Sequence, residues 1–502
     1  MAAAAPAAEA PPDFAAQVLD LFPRAVKVSP MQGEPSAASV LDGRGELVGY
    51  AFLTDRVLPI PAYSGKPITT LVAFDTGGVV RGIRILVHQE PILAVGVSER
   101  DLDAFVAQYR GLMVADRTQI GGRAKPGHTV LDGLSGATIT AMVLDASVMR
   151  SLRKVAADRG LMSGDSAGGA GVGDDEEPLW KQNWRDHRLE IGVLIAGLAV
   201  LVLVVVFQDP LARHPHLLTY IRYGYLVFTL VFIGWVALGQ LSVVNVLTFT
   251  NAVMHDFRWE TFLMDPVLFI LWAFVAVVML LWGRGVYCGW LCPFGALQEL
   301  VYKLAHWLRI PALELPEVVH ERLWAVKYVI FLVLFGLSLQ TLGAVQPSAE
   351  VEPFKTVFSL GFDRPWPFVT YALAMILVSA INRKFFCKYV CPLGGALAIP
   401  AKLALFDWLR RRKECGKPCQ ICANECEVRA IRATGEINPH ECQYCLDCQV
   451  TYWNAYKCPP LIDRRRRRER GARVRVAATG MEEAMGSARV EEAKSGPQPE
   501  SR

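Results

Sequence analysis

At 502 residues the chain has room for about three domains. A hydrophobic content of 52% and a mean hydropathy of +0.28 are high for a soluble protein and point to long apolar runs. The formal net charge of +4 is small and excludes little by itself. Its distribution says more, because basic residues crowd the C-terminal part and end in Arg464, Arg465, Arg466, Arg467 and Arg468. Such a run can grip nucleic acid or anionic lipid. Beside apolar helices it more simply marks a cytoplasmic face, and no recognisable DNA-reading module accompanies it, so no direct nucleic-acid partner is expected.

In chain order, residues 1–21 read as a flexible Ala/Pro-rich leader without the charged and apolar regions of a signal peptide. Residues 22–160 have α+β character. Short β-rich runs (LVGYAFL, TTLVAFD, GIRILVH) are broken by turns and followed by a helical stretch over 139–154. Ahead of that helix stands Asp132-Gly133-Leu134-Ser135-Gly136-Ala137-Thr138. Gly136 and Ala137 leave room for a phosphate, and hydroxyl residues at a helix start add donors to the free N–H groups there. The same residues also make an ordinary N-cap. The segment resembles the flavinylation signature of the membrane flavoproteins RnfG and NqrC, in which the threonine after Gly-Ala carries FMN through a phosphoester. That resemblance implies covalent FMN on Thr138, attached by a separate flavin transferase, with Asp132, Ser135, Gly136 and Ala137 around it. Two further segments, Tyr63-Ser64-Gly65-Lys66-Pro67 and His88-Gln89-Glu90-Pro91, either approach the flavin or merely close strands.

A linker over 161–186, rich in Gly, Ser and Asp between Ser163 and Glu177, leads to five apolar spans near 191–207, 221–241, 266–282, 325–345 and 367–382. Arginine and lysine concentrate in alternate connections and in the C-terminal tail. The positive-inside rule therefore puts the C-terminus in the cytoplasm and, after five crossings, the N-terminal domain outside. Within 187–385 and just after it, Cys288-x3-Cys292-Pro293 and Cys387-x3-Cys391-Pro392 are expected at the inner ends of two helices. If each pair lies on one helix, positions i and i+4 share a face. The pairs then build one four-thiolate site, a redox-active dithiol set or a packed interface. None of the nine histidines falls within a span, which argues against a membrane haem held by two histidines.

The remaining eight cysteines lie in 386–463, as Cys415, Cys419, Cys422 and Cys426, then Cys442, Cys445, Cys448 and Cys458. All twelve cysteines fall in four tight groups, with none among the first 287 residues, a pattern of metal chemistry rather than scattered packing. Four-thiolate sets suit [4Fe–4S] clusters; zinc is the competitor. Disulfides are disfavoured in a reducing compartment. The arrangement resembles the two-cluster bacterial ferredoxins. That resemblance implies one cluster on Cys415, Cys419, Cys422 and Cys458, and another on Cys442, Cys445, Cys448 and Cys426. Residues 464–502 read as a basic, disordered tail.

The segments YSGKPI (63–68), HQEPI (88–92), DGLSGAT (132–138), GQLSVVN (239–245), WGRGVYCGWLCPFGALQE (282–299), FCKYVCPLGGAL (386–397) and CGKPCQICANEC (415–426) together resemble the NosR/NirI family of membrane flavoproteins. The architecture implied is a multidomain membrane protein: an α+β FMN-binding domain, about five transmembrane helices, and a C-terminal ferredoxin-like two-cluster domain. The function implied is electron delivery to, and maintenance of, periplasmic nitrous-oxide reductase, with expression of its gene cluster also depending on the protein. Quinol is a further candidate electron donor. A redox-sensing regulator and a NapH-type quinol dehydrogenase are the other readings.

Overall fold

The computed structural model describes residues 13–62, 66–88, 99–121, 126–134, 138–161, 178–254, 257, 259–339, 348–417 and 419–472. Ser135, Gly136 and Ala137 lie outside them, as do Tyr63–Gly65, Gln89–Pro91 and the tail beyond 472.

The N-terminal domain is a five-stranded antiparallel meander, in spatial order β1 (Ala25–Val28), β2 (Ala38–Asp42), β3 (Leu47–Leu53), β4 (Thr69–Asp75) and β5 (Val80–Val87). Successive side chains of a strand point to opposite faces, and here both faces are covered. Ala51, Leu53, Leu71 and Ala73 pack under helix α1 (Phe14–Leu21) through Phe14 and Val18. Phe52, Val72 and Phe74 pack under a long helix, Thr138–Asp158, through Leu144, Val148 and Leu152. Residues 14–21 are therefore part of the fold and not of a flexible leader: Phe14 and Val18, four apart, bury one apolar face on the sheet. Two-sided burial also explains why TTLVAFD is a continuous apolar run and not an alternating one.

α2 (Thr54–Val57) lies between β3 and β4; after the sheet come α3 (Glu99–Ala107) and a parallel pair, β6 (Arg117–Ile120) and β7 (His128–Leu131). The long helix is α4 (Thr138–Asp158); α5 (Leu179–Asp186) follows.

Two helical stretches are long and apolar enough to cross a membrane by length and composition: α6 (Arg188–Val206, mean hydropathy 2.9) and Pro215–Val236 (1.5). The second stretch consists of α7 (Pro215–Phe228) running into a π-helical segment, Thr229–Val236. Only 28% and 44% of these two are buried, unlike core helices of a soluble fold, and Ile195, Val200, Leu203, Val231 and Trp235 face outward. The other expected spans contain helices that fall short of that test. α8 (Val243–Met254) is followed by α9 (Pro266–Trp282), α10 (Pro293–Trp307), α11 (Glu317–Ser338) and α12 (Trp366–Ile381). α9 and α12 have 17 and 16 residues. α11 is long, but its N-terminal half carries Glu317, Glu321, Arg322 and Lys327. Of the five crossings expected, two are thus met by helices of full length and apolarity among the described residues.

α6 and α9 run the same way. α6 follows α5, whose Asn183 and Trp184 hydrogen-bond the carbonyls of Met264 and Leu263, and Met264 sits in the core of the N-terminal domain. α9 starts two residues beyond Met264, capped by Asp265, whose Oδ1 accepts from the Leu268 N–H at 3.0 Å. At their other ends both helices meet the cysteine-rich module. Arg410 pairs with Asp209 at 2.7 Å, and the amides of Leu405 and Phe406 bond the carbonyls of Leu280 and Leu281. Nineteen helical residues span about 28 Å. The two domains therefore sit at opposite ends of these helices.

Candidate redox centres

In the N-terminal domain β7 leads straight into Asp132, whose backbone is clamped from both sides by Gln108. The Asp132 N–H donates to Gln108 Oε1 at 2.7 Å, and Gln108 Nε2 donates to the Asp132 carbonyl at 3.2 Å. Leu131 and Leu134 are buried anchors, and α4 opens at Thr138. The signature thus begins at a fixed strand end and reaches the N-terminus of a 21-residue helix, where an anionic phosphate is favourably placed. Farther along α4, Asp145 accepts a hydrogen bond from Tyr109 at 3.0 Å and ties the helix to the end of α3. Pro61 and Pro67 form an isolated antiparallel bridge.

None of the twelve cysteines is joined in a disulfide. Cys415, Cys419, Cys422 and Cys458 line one small cavity with Ile421, Tyr452 and Pro459. The Arg412 N–H points at Cys415 Sγ (3.4 Å), and the Arg412 guanidinium at Cys458 Sγ (2.9 Å). Cys426 lies within electrostatic reach of Cys442, Cys445 and Cys448. Its sulfur accepts the Ala430 N–H, and Cys442 Sγ the Tyr444 N–H, both at 3.4 Å. Cys415, Cys419, Cys422 and Cys458 are thus neighbours in one group, and Cys426 lies near Cys442, Cys445 and Cys448 in another. They adjoin each other where Cys422 Sγ lies 3.7 Å from the Cys448 carbonyl. N–H donors aimed at sulfur are what stabilises thiolates around an iron–sulfur core. Burial pushes the Cys442 thiol up to about 12, so a bare thiol there is neutral and metal loading must displace its proton. Among the described residues no three His, Cys, Asp or Glu side chains close around a single point as one metal ion requires. A cluster instead spaces its ligands around a whole inorganic core.

The two CxxxCP pairs depart from the expected helical geometry. Cys288 lies in a π-helical turn, Tyr287–Leu291, whereas Cys292 has extended dihedrals (φ −80°, ψ 111°) and caps α10. Cys387 lies in α13 (Phe385–Tyr389), and Cys391 caps α14 (Pro392–Ala398). Each pair straddles a helix break, and each proline begins a helix at the position where its missing N–H costs nothing. The caps are alike: Cys292 Sγ accepts the Gly295 N–H at 3.4 Å and Cys391 Sγ the Gly394 N–H at 3.3 Å.

The pairs also lie deeper than the inner helix ends where they were expected. Along α7, Arg222 holds Glu299 of α10 with two bonds of 2.9 and 2.7 Å, Thr229 donates to the Trp290 carbonyl, and Gly234 adjoins Pro293. Cys292 therefore sits beside the far end of that stretch, where Gln240 Nε2 approaches its sulfur at 3.8 Å.

The cysteine-rich module docks directly on this region. The backbone of Cys442–Tyr444 crosses Gly285 and Gly289, four residues apart. Trp290 Nε1 donates to the Tyr444 carbonyl at 3.0 Å. Buried ion pairs clamp the contact. Glu441 takes Lys327, Arg284 (3.4 Å) and the Tyr328 hydroxyl (2.9 Å); Lys384 joins Glu299 and Gln443, each at 2.8 Å. Sequence reasoning missed these partners, and it missed Gln240 and Gln298, whose Nε2 donates to Cys387 Sγ at 3.0 Å. The spacing Gly285-x3-Gly289 was the available signal, since paired small residues admit a close backbone.

Fold and sites define a membrane-associated flavin and iron–sulfur electron-transfer protein. Comparison with known families agrees: an FMN-binding domain matches 63–153, a 4Fe-4S binding domain matches 264–311 and 365–415, and a family described as NosR matches 413–469. The chain is 35% identical to Regulatory protein NosR of Pseudomonas aeruginosa, over 91% of this chain and 93% of that one. It is 34% identical to Regulatory protein NosR of Stutzerimonas stutzeri over 92% and 93%, and 49% identical to Protein NirI of Paracoccus denitrificans over 58% and 42%. The chain belongs to the NosR/NirI family. The first alignment runs over 667 positions although this chain has 502 residues, so that relative holds additional residues inside the matched span.

Proposed function

We propose that this protein carries electrons across the inner membrane between a cytoplasmic two-cluster module and a covalently bound periplasmic FMN, in support of a periplasmic nitrous-oxide reductase. The observation that carries this reading is that α6 and α9 both begin at the flavin-type domain and end at the cysteine-rich module. Positive charge concentrated at the second end supports a cytoplasmic C-terminus and a multi-pass chain. Cys415, Cys419, Cys422 and Cys458 would hold one [4Fe–4S] cluster, and Cys442, Cys445, Cys448 and Cys426 the other. Thr138 would carry the flavin, attached by a flavin transferase. When bound, these groups supply one-electron steps and, at the flavin, a junction with two-electron chemistry. The protein's own part is to orient sulfur with N–H donors, to hold Asp132 through Gln108, and to press the module against the helices. Quinol is a candidate donor.

The test is reconstitution in liposomes with a donor confined to the cluster side. Flavin bleaching is expected in the native protein, and Thr138→Ala should lose both the FMN mass and the bleaching while keeping its iron. Flavin that stays oxidised under every quinone condition would overturn the proposal.

A regulatory role is the second reading, favoured by the names of the relatives and by the helical residues 459–472, which carry the exposed Arg466–Arg468. Deleting 464–502 should then abolish expression of the dependent genes while flavin reduction continues; unchanged expression would count against it.

A further inference from the structure

α6 ends at Val206, on the edge of a cavity of about 300 Å³ lined by Val206, Gln208, Asp209, Asp407, Trp408 and Arg410. That volume is at the lower end of the range for small-molecule sites. One wall is the short helix Gln208–Ala212 that follows α6; the other continues from Leu405 and Phe406, whose amides bond the end of α9. The cavity therefore sits where the apolar helices give way to the cysteine-rich module. Leu203 and Phe207 are exposed beside the first wall, and Leu405 and Phe406 beside the second. An apolar molecule dissolved in the bilayer can reach it without entering water.

The polar lining is incomplete. Gln208 is only 4% exposed, yet its Oε1 has no hydrogen-bond partner among the described residues, and neither has the buried Oδ1 of Asp209. Leaving a buried acceptor unmatched is costly, so these two atoms call for an occupant that donates. A lipid phosphate does not qualify: it only accepts, Asp209 and Asp407 repel it, and Arg410 is already engaged by Asp209 at 2.7 Å. Trp408, held edge-to-face by Trp282 with ring centroids 5.1 Å apart, adds a flat apolar surface.

The cavity also adjoins the second cysteine group. Gln449 clamps the backbone of Arg410: its Oε1 accepts the Arg410 N–H at 3.2 Å and its Nε2 donates to the Arg410 carbonyl at 3.3 Å. The same Nε2 lies 3.5 Å from Cys448 Sγ. Only one side chain thus separates a cavity wall from a thiol. On the other wall Gln208 meets Tyr444, which is within electrostatic reach of Asp407, Cys442 and Cys448.

We propose that this cavity binds a membrane quinol, with its O–H groups received by Gln208 and Asp209, and is where electrons enter the protein. A hydroquinone has what the lining lacks: O–H donors, a flat ring and an apolar tail that stays in the lipid. Its oxidation to the quinone breaks two O–H bonds. Both protons leave through Asp209 and the exposed Asp407 to water, and the two electrons leave singly to oxidised iron–sulfur centres, the nearest of them on the group that contains Cys448. The inference rests on the electron-transfer reading above and gives its quinol donor a place.

The test uses the full-length, iron-loaded, flavinylated protein in phosphatidylcholine nanodiscs, with a photoactivatable azidoquinone whose attachment is mapped by mass spectrometry. Label is expected in 203–213 and 403–410, displaced by an unlabelled quinol and not by added phosphatidylethanolamine, the lipid headgroup that also carries donors. Gln208→Leu should lower the labelling about tenfold while dithionite still reduces the iron–sulfur centres. Label confined to other segments, displacement by phosphatidylethanolamine as effective as by quinol, or native labelling of Gln208→Leu would each overturn the proposal. Mapping the native protein keeps the test decisive if the variant fails to fold. A labelled cavity with a flavin that quinol never reduces sinks the conduit and leaves the site; a flavin reduced by quinol with the cavity unlabelled does the reverse.

Discussion

Replacing Gly289 by alanine is expected to lift the cysteine-rich module off the membrane helices. A Cβ at that position would lie 1.8 Å from the Gln443 carbonyl oxygen and 3.0 Å from its carbon, and both are backbone atoms with no rotamer to yield. Gly285, one turn earlier, faces the Cys442 carbonyl at 2.9 Å, so the strain cannot be relieved by sliding along the helix. Overpacking against flexible side chains costs about 1–3 kcal/mol, and contact with fixed backbone belongs at or above the upper end. A cost of about 3 kcal/mol weakens the docked state roughly 150-fold. Limited proteolysis within 405–460 should accelerate accordingly. Gly336 on α11 has open space around its Cβ position, so Gly336→Ala is the control and should behave as the native chain. Equal protection of the Gly289→Ala module would refute the docking geometry.

Glu441→Ala should be comparably damaging for an electrostatic reason. It leaves Lys327 and Arg284, 0% and 2% exposed, facing each other without their shared carboxylate. Breaking a buried pair on one side costs about 3–5 kcal/mol, whereas replacing both partners by apolar groups is often close to neutral. The expected result is a large fall in the thermal midpoint of iron release for Glu441→Ala and a smaller fall for the double variant Glu441→Met, Lys327→Met. Because the pair is buried, the difference should persist in about 1 M salt, which would erase a surface contribution. If the double variant is no better than the single one, the clamp does not work through paired charge.

Much of the site chemistry was legible in the amino-acid sequence because it is written in local spacing. The DGLSGAT segment, the CxxxCP pairs and the two C-terminal cysteine runs each act within a few residues, and each stands in the structure at a strand end, a helix cap or a loop. The β-rich runs of the N-terminal domain became strands for the same reason. What was misread depended on partners far along the chain. Phe14 and Val18 looked like leader until the face formed by Ala51, Leu53, Leu71 and Ala73 was there to cover. The cysteines of each CxxxCP pair read as one helix face because i and i+4 usually share one, whereas proline at N1 splits them between two elements.

By itself the chain determined which groups are present: thiols in foursomes, a flavin-type signature, apolar helices and a basic end, since composition and short spacings carry that information. Only the tertiary structure decided which thiols are neighbours, and that Glu441 and two glycines hold the cysteine-rich module against the helices. Such contacts follow from how helices pack and which buried charges must find each other, and no window of neighbouring residues records them.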